Sequence, residues 1–520
     1  MDMKKIFGYI VAALLVAGVS VACDNKEPIE QEPVKISLEV SPTELSAPAA
    51  RSIETIEVIT DALEWDFMTT ASWIEVEKTE DGLNVEVLEN EKTEVRTADI
   101  IVFAFTGDVR ETVTVTVEQA AAVSEGGNEG GNEGGSEGGS DIGGLDANGN
   151  IVFECSEFKA QMVTYFDANG DGEISPAEVA NVKDLVVTYD EENEEIFQIT
   201  SLVGIKYFVN LVNLDCDLNL LTSLDLSGLK KLEYVDCCYN QITDLNLSGC
   251  ESLKWVYFYS NAVSEINLNG CDKLMFVQGY KNKVSKMSMS GLQELVYFDM
   301  RFNSLSELKI NDCPQLQIIA VGDNNLTSLD LTGLPSLYTV GCYNNNISTL
   351  DVSNLPMLQM LECYNNNLAK LDVTANPLLT MLTCQNNMIS DLDFDGCTSL
   401  KVFSCNSNRL SGELDLTAYK ALERVNCGGN NFTSVNVTGC TEITELSCAN
   451  TDITTLDVAS NTALESLICN DCLLTTLDVS ANSLLKKLYA NGNPLETLYM
   501  AKGQVIEDLK LDNHDIIVRK

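Results

Sequence analysis

Hydrophobic and polar positions follow two different rhythms along the chain. Between about residues 35 and 120, apolar residues occupy every second position in short runs, such as Val113, Val115 and Val117. These runs are separated by Pro, Gly or Asp. Short alternating runs of this kind predict the strands of an all-β sandwich over residues 35–120.

The second rhythm is a repeat of 21 residues that runs from about residue 199 to residue 520. Its pattern is LxxLxCxxNxLxxLDLSxxxx, and it covers fifteen turns with one extra residue near Gly412. One turn cannot bury its own leucines, so consecutive turns must stack into a continuous core. The pattern predicts a leucine-rich-repeat solenoid with a parallel β-sheet on its concave side and extended LDLS segments, such as Leu224–Ser227, on its convex side.

Cysteine and asparagine recur at fixed positions of the repeat, counted from its first leucine. Position 6 is Cys in nine turns, and position 9 is Asn in most turns. An Asn side chain inside a tight coil can bond the backbone of its own turn and of the next. Cysteines in one column would lie about 4.8 Å apart with parallel side chains, which does not suit a disulfide. We therefore predict small buried hydrophobic side chains rather than the disulfide scaffold that an exported chain can form.

This cysteine column with its period of 21 residues resembles the cysteine-ladder internalins over residues 199–520. The resemblance implies adhesion or ligand binding by the solenoid. Positions 3, 5 and 7 flank the buried positions 4 and 6 and are expected to face outward on the concave strands. In the second to fifth repeats they carry aromatic residues and an arginine, which predicts a ligand-binding surface for protein or sugar rings made by Tyr234, Trp255, Tyr257, Tyr259, Phe276, Tyr280, Tyr297 and Arg301. The alternative is that aromatic residues simply favour strands.

Residues 167–178 read DANGDGEISPAE and fit a twelve-residue calcium loop. Hard oxygen ligands at this spacing favour Ca²⁺ over transition metals. The loop resembles EF-hand and dockerin loops, with helices expected on both sides. The predicted ligands, with Glu173 acting through its backbone carbonyl, are Asp167, Asn169, Asp171, Glu173, Ser175 and Glu178. Because only one complete loop is present, directly before the repeats, we interpret residues 146–198 as a cap stabilised by structural calcium, with a calcium sensor as the alternative.

The N-terminus has the features of an export signal. Two lysines precede an apolar run that ends in small residues, which predicts a signal peptide over residues 1–22. The alternative is a permanent membrane anchor helix. Ser20-Val21-Ala22-Cys23 resembles a bacterial lipobox, which implies that Cys23 carries lipid and holds the protein on a membrane. The acidic residues 23–34 resemble the tether of Bacteroidota lipoproteins at the cell surface, which implies an outer-membrane lipoprotein facing the exterior.

Residues 35–120 resemble a BACON domain. The similarity rests on the segments VSPTELS, ASWIEV with Trp73, and VTVTVEQ. Carbohydrate or mucin binding has been proposed for this family, but we favour a spacer role and interpret Trp73 as a core residue. Residues 121–145 contain the run SEGGNEGGNEGGSEGGS, which has no residues for a core and predicts a flexible linker.

Composition narrows the possible functions. The chain holds 78 acidic and 32 basic side chains, a net charge of -46 at pH 7. This charge argues against a nucleic-acid partner, which requires a basic surface. With one histidine in 520 residues, His-based catalysis is not expected, and we predict no enzyme activity. The leading hypothesis is a monomeric, adhesin-like surface protein, and the alternative is a glycan-binding accessory lipoprotein in polysaccharide or mucin capture.

Overall fold

The computed structural model describes residues 37–60, 64–69, 74–79, 82–90, 96–106, 109–120, 144–187 and 199–520. The predicted signal peptide with Cys23, Trp73 and the Gly-rich run lie outside the described residues. Two compact units are present: the N-terminal unit, Pro28–Asp272, and the C-terminal unit, which contains Lys273–Lys520. Within the described ranges, no helix is long and apolar enough to cross a membrane.

The N-terminal unit begins with two four-stranded sheets. Their orders are β1-β3-β6-β5 and β2-β8-β7-β4. Buried side chains of both sheets, including Ile56, Val85, Val102 and Val117, form one hydrophobic cluster, because every second residue of each strand points toward it. The strands are β1 (Leu38–Ser41), β2 (Glu44–Ala47), β3 (Ser52–Thr60), β4 (Glu64–Thr69), β5 (Ile74–Lys78), β6 (Gly82–Val87), β7 (Arg96–Thr106) and β8 (Val109–Gln119).

The same unit continues with two helices and the first repeats. Strands β9, β10, β12 and β14 form a parallel sheet, and β11, β13 and β15 form a second one. The elements are α1 (Ser156–Phe166), α2 (Pro176–Val179), β9 (Asp184–Val186), a 3-10 helix (Ile205–Tyr207), β10 (Asn213–Asp215), β11 (Ser223–Asp225), β12 (Tyr234–Asp236), β13 (Asp244–Asn246), β14 (Trp255–Tyr257) and β15 (Glu265–Asn267).

The C-terminal unit consists of repeats. Its long parallel sheet has the order β35-β33-β31-β30-β28-β26-β24-β22-β21-β20-β18-β16. The strands are β16 (Phe276–Gln278), β17 (Lys286–Ser288), β18 (Tyr297–Asp299), β19 (Glu307–Lys309), β20 (Ile318–Ala320), β21 (Thr339–Gly341), β22 (Met360–Glu362), β23 (Lys370–Asp372), β24 (Met381–Thr383), β25 (Asp391–Asp393), β26 (Val402–Ser404), β27 (Ser411–Asp415), β28 (Arg424–Asn426), β29 (Asn431–Asn436), β30 (Glu445–Ser447), β31 (Ser466–Ile468), β32 (Thr476–Asp478), β33 (Lys487–Tyr489), β34 (Thr497–Met500), β35 (Asp508–Lys510) and β36 (Ile517–Arg519), with a 3-10 helix at His514–Ile516.

The repeat register agrees with the period in the sequence. Neighbouring strands of the long sheets pair residues 21 positions apart, as in Met360 with Met381. The predicted extra residue is confirmed, because Val402 of β26 pairs with Arg424 of β28 and the register of β27 shifts between Gly412 and Glu413. The predicted extended LDLS segments form the short strands of the second sheets in several turns, such as β11 and β13, whereas the segments at 329–331 and 350–352 are not strands.

The asparagines at position 9 join consecutive turns. Asn366 is typical: its Nδ2 donates to the carbonyl oxygens of Cys342, Cys363 and Tyr364 at 3.0, 3.1 and 3.2 Å, and its Oδ1 accepts from the N–H of Ile347 at 2.9 Å. The ladder therefore connects each turn to the preceding turn, whereas the sequence analysis expected contact with the next one. A side chain such as that of Asn366 binds one backbone N–H group and three backbone carbonyl groups, which would otherwise lie unpaired in the core.

Seventeen cysteines lie in the described residues, and all are free and buried. Burial raises the pKa of the Cys384 thiol to about 12, so this thiol stays protonated and inert. Five of the others occupy position 19 and donate their S–H backward, as Cys397 does to the carbonyl of Val373 at 3.3 Å. In other turns an asparagine takes this position, and Asn376 Nδ2 donates to the carbonyl of Val352 at 3.0 Å. These cysteines therefore act as hydrogen-bond donors in addition to filling the core.

Candidate ligand-binding surfaces and calcium loop

The predicted binding surface divides between the two units. Tyr234, Trp255, Tyr257 and Tyr259 belong to the N-terminal unit, and Phe276, Tyr280, Tyr297 and Arg301 belong to the C-terminal unit. In the long sheets, position 4 faces the core and is buried in almost every strand, and position 3 is most often half-buried. Position 5 faces the opposite side but is buried in many strands. Whether the eight residues form one ligand surface stays a prediction.

In the N-terminal unit, the aromatic residues of β12 and β14 contact each other. Tyr234 pairs in register with Trp255, and its ring centroid lies 5.6 Å from that of Tyr257. Tyr259 packs edge to face against Tyr239 at 5.3 Å. The four predicted side chains are half-buried, so each keeps a surface that a ligand can reach.

Three carboxylates that the sequence analysis did not single out are close to these rings. They are Asp215, Asp217 and Asp236, at positions 5 and 7 of the first two strands. The hydroxyl of Tyr234 donates to Asp236 at 3.4 Å. Burial, and then repulsion from Asp215 and Asp236, raises the pKa of Asp217 to about 7. Burial also raises the pKa values of Asp215 and Asp236, so ionisation of the carboxylates on this face of the unit costs free energy.

In the C-terminal unit, Arg301 is held by a buried carboxylate. Its Nε and Nη2 donate to the two oxygens of Asp299 at 3.0 and 2.7 Å, and Asp299 is fully buried. Burial opposes the charge of Arg301, but the hydrogen bonds and charge of Asp299 outweigh it and raise the arginine pKa. Tyr297, expected to face outward, is only 6% exposed, because it stacks on Phe276 and its hydroxyl donates to Asp299 at 3.3 Å. Tyr297 therefore supports Arg301 rather than offering an open face.

A second aromatic cluster of this unit escaped the sequence analysis. The rings of Tyr343 and Tyr364 stack with centroids 4.8 Å apart and planes within 3°. Tyr343 packs over Gly322, where a Cβ atom would lie 2.5 Å from the ring. Both tyrosines occupy position 7, as Tyr280 does. They could have been found by extending the search for outward aromatic residues to later repeats.

The turn after each long-sheet strand carries a further unexpected feature. Position 8 adopts a left-handed backbone and is usually Asn, Asp, Ser or Gly, residues that tolerate this conformation. Leu218, Tyr239 and Phe302 adopt it at φ values of 54°, 51° and 53°. Their side chains are 45%, 40% and 48% exposed. Other turns close with Asn, Asp, Ser or Gly at this position, so the turn itself does not require an exposed apolar residue with a strained backbone.

In the predicted calcium loop, side-chain oxygens accept hydrogen bonds from backbone N–H groups of the same loop. Asp167 accepts from the N–H groups of Gly170 and Gly172 at 2.7 and 2.9 Å, and Gly172 has a φ of 79°, as a sharp turn at position 6 requires. Asn169 and Asp171 each accept from the N–H group two residues further on. Glu178 reaches back to accept from the Ala168 N–H at 3.0 Å, which closes the loop.

Helical segments lie on both sides of the loop, as expected from the sequence, although α2 has only four residues. α1 ends at Phe166, directly before the loop, and α2 starts at Pro176 with the capping box of Ser175 and Glu178 in place. Backbone hydrogen bonds, chiefly from Gly172, lower the pKa of Asp167, and those from Ser175 lower the pKa of Glu178. Both carboxylates are therefore ionised at neutral pH. Within the described part of the chain, no group of three or more His, Cys, Asp or Glu side chains is gathered closely enough to hold a metal ion.

The chain is similar to a solved structure over the repeats. It resembles the functional domain of InlJ from Listeria monocytogenes, which includes a cysteine ladder, with 28% identity and a TM-score of 0.51 over 63% of this chain and 70% of that one. The repeats have an internalin-like leucine-rich-repeat fold. An internalin (inlF) from Listeria monocytogenes strain 4b F2365 is 24% identical over 60% of this chain and 94% of that one, with a TM-score of 0.47.

The N-terminal region matches a known domain family. Residues 63–120 fit the model of the BACON family, described as "Putative binding domain, N-terminal". This confirms the predicted resemblance for strands β4 to β8, and β1 to β3 share the core of those strands. No curated protein matches the chain.

Proposed function

We propose that this chain is a lipid-anchored outer-membrane protein that faces the cell exterior and binds a protein ligand through the outward side chains of its repeats. The observation that carries the proposal is the internalin-like repeat fold, which presents aromatic residues and Arg301 at outward positions. Large aromatic side chains and arginine contribute most of the energy of many protein interfaces. In this proposal the solenoid is a binding protein without chemistry of its own, and it acts as a monomer.

The anchor would be Cys23, and the BACON-like sandwich with its Gly-rich linker would serve as a spacer between membrane and repeats. A Cys23→Ser variant should no longer incorporate labelled fatty acid and should lose its membrane association. Incorporation that persists in this variant would contradict the anchor. Removal of residues 35–120 should leave ligand affinity unchanged if the domain only spaces the repeats from the membrane.

The ligand surface is tested with a triple variant, Trp255→Ala, Tyr257→Ala and Tyr280→Ala. Cells that display it should bind host protein surfaces at least about tenfold more weakly than cells with the native chain, since each lost anchor is worth about 1 kcal/mol or more. Tyr165→Ala is the control, because Tyr165 is 64% exposed on α1 and lies on none of the outward repeat positions. Unchanged binding by the folded triple variant would exclude this surface, and loss of binding to glycan arrays alone would favour the glycan alternative.

Calcium, in this proposal, is structural. The donor set of carboxylate, amide, carbonyl and hydroxyl oxygens fits Ca²⁺, with Asp167, Asn169, Asp171, Glu173, Ser175 and Glu178 as ligands. When bound, the ion would neutralise carboxylates that now accept from backbone N–H groups and, at Glu178, also from the Ser175 hydroxyl. The loop is joined to the repeats, because Phe166 packs edge to face on Phe208 with centroids 6.3 Å apart. In addition, β9 pairs in register with β10 and so extends the sheet of the first repeats.

The calcium proposal predicts a rise in the melting temperature of the full chain when Ca²⁺ is added. Glu178→Gln removes the bidentate ligand and should abolish that rise and the calorimetric binding signal. Glu265→Gln, an exposed change on β15, should preserve both. A melting curve that is the same with calcium and with chelator would contradict the structural role.

A further inference from the structure

A carboxylate without a partner lies beside the stacked tyrosines of the C-terminal unit. Glu362 is at position 5 of β22, between Gly341 of β21 and Thr383 of β24 in register. Its carboxylate lies near the open face of Gly341, where an added Cβ would be 3.7 Å from Oε2. Within the described residues, Glu362 forms no hydrogen bond or salt bridge, although its side chain is half-buried.

The charges around Glu362 are already committed elsewhere. Arg301 is bound to Asp299 through two hydrogen bonds of 3.0 and 2.7 Å. Asp323 accepts from the side-chain amide of Asn344 at 2.7 Å. Burial raises the pKa of Glu362, and the nearby charge of Arg301 only partly offsets this. Glu362 has no directly bound cation, an arrangement that favours binding of a cation from outside.

A second observation at the same place also indicates a missing ligand. Thr383, the register partner of Glu362, is only 6% exposed, and its hydroxyl has no hydrogen-bond partner within the described residues. The side-chain carbonyl of Gln385, two residues further on, is buried and unpartnered as well. Buried polar groups normally find partners, so two such groups next to an unpaired carboxylate mark an incomplete hydrogen-bond network.

The geometry of the tyrosines restricts the ligand chemistry. Tyr343 and Tyr364 turn one face of each ring toward the other at 4.8 Å, so those faces are closed to a stacking sugar ring. The ring edges and the Tyr364 hydroxyl remain as contacts for a ligand, whereas the Tyr343 hydroxyl lies beside the Arg301 side chain. These suit the aliphatic stem and terminal donors of a long basic side chain, whose charged group can reach the carboxylate.

We propose that Glu362, Thr383 and the edges of Tyr343 and Tyr364 form a subsite for an arginine or lysine side chain of a protein ligand. The guanidinium or ammonium group pairs with Glu362 and donates to Thr383, and the stem packs along the tyrosines. This rests on the proposed function and names the chemistry of its ligand. The net charge of -46 favours such a partner, because it attracts basic proteins and accelerates their encounter.

The test uses the full chain and a ten-residue probe peptide of alternating Arg and Gly, with a second peptide in which citrulline replaces Arg. Glu362→Gln removes the charge with little change of shape. Glu413→Gln is the matched control, because Glu413 is exposed on β27 in the same unit and outside the long sheet. Affinities are measured by fluorescence anisotropy at constant salt, and melting curves verify that both variants are folded.

We expect the Arg peptide to bind Glu362→Gln about tenfold more weakly than the native chain, which corresponds to about 1.4 kcal/mol. Glu413→Gln should change its affinity less than about twofold, and the citrulline peptide should bind all three proteins equally weakly. A water-soluble carbodiimide should cross-link a Lys version of the peptide to Glu362. An equal effect of both substitutions would show general attraction to an acidic surface and overturn the subsite.

A glycan ligand would give another result. If Glu362→Gln left the Arg peptide unaffected but reduced binding of neutral oligosaccharides, the subsite would recognise sugar hydroxyls and the proposal would be wrong. The general function is tested separately by the aromatic triple variant. Loss of protein binding in the triple variant with no effect of Glu362→Gln would reject the basic subsite alone, whereas an unaffected triple variant would reject the proposed aromatic ligand surface.

Discussion

Asp217 provides the sharpest test of the electrostatics of the repeats. Its pKa is raised to about 7 from an ordinary value of 3.8, because burial and the neighbouring Asp215 and Asp236 disfavour the charged form. The folded chain therefore binds more protons than the unfolded chain between about pH 4 and pH 7. The contribution of Asp217 to the free energy of unfolding therefore falls as pH rises through this window and is least favourable above pH 7. Asp217→Asn removes this penalty.

The size of the effect follows from the pKa difference. A rise from 3.8 to about 7 corresponds to at most about 4 kcal/mol. Asp217 is only half-buried, and solvent screens such charges, so about 1–2 kcal/mol is the realistic value. Asp217→Asn should stabilise the chain by that amount at pH 8 and by little at pH 4, where the native carboxyl is already neutral.

The measurement is urea unfolding of the full chain at pH 4, 6 and 8 with chelator present, so that calcium binding does not contribute to the pH dependence. Asp272→Asn is the control, because Asp272 is exposed in the same unit. This variant should follow the native pH dependence throughout. A stabilisation by Asp217→Asn that is equal at pH 4 and pH 8, or is absent at pH 8, would refute the explanation by desolvation and repulsion.

Three further predictions concern the repeat architecture, and urea unfolding checks each. Asn366→Ala should lower the free energy of unfolding by about 2–4 kcal/mol, because four buried backbone groups lose their partner, while exposed Asn354→Ala should have little effect; a loss below about 1 kcal/mol would contradict the ladder. Cys397→Ala should lower the free energy of unfolding by about 1–2 kcal/mol. Cys397→Asn should lower it less, because an Asn side chain can still donate to the Val373 carbonyl. Equal losses in the two variants would show that the S–H hydrogen bond does not contribute to stability. Phe302→Asn should raise the free energy of unfolding by about 0.5–1 kcal/mol, because Asn tolerates the left-handed backbone and the Phe302 side chain is 48% exposed. A lower free energy of unfolding in this variant would disprove backbone strain at position 8.

The repeat fold was predictable because its positions are constrained independently in every turn. Leu361 is buried at position 4 as Leu382 is, and Asn366 bonds the backbone as Asn387 does. Fifteen copies of one pattern average out local irregularities. The extra residue near Gly412 was visible for the same reason, since a shift in a regular pattern can be placed within a few residues.

The aspartates that open the turns of the second sheets were only partly understood from sequence. Asp330, Asp351 and Asp372 recur every 21 residues in the sequence, a pattern that by itself predicts only a solvated face. In the structure each accepts from the backbone N–H two residues later, as Asp330 does from Thr332 at 2.9 Å. Hydrogen bonds from the following side chain and backbone lower the pKa values of all three. The repeated aspartates indicated exposed positions, but the 21-residue period did not reveal the hydrogen bond from the backbone N–H two residues later.

Outward residues could not be assigned in the same way, because their environment depends on neighbours 21 residues away. Tyr297 and Tyr234 share position 3 of the repeat, yet Tyr297 is buried over the Arg301–Asp299 pair whereas Tyr234 is half-buried. Glu362 has the same position as Asp299, but only Asp299 has an arginine two residues later to neutralise it. An unpaired charge is therefore a property of several adjacent turns together. A search for ligand sites in such repeats should compare outward positions across neighbouring turns and ask which buried charges lack a partner, since hydrophobicity and residue type alone favour the tyrosines and overlook Glu362.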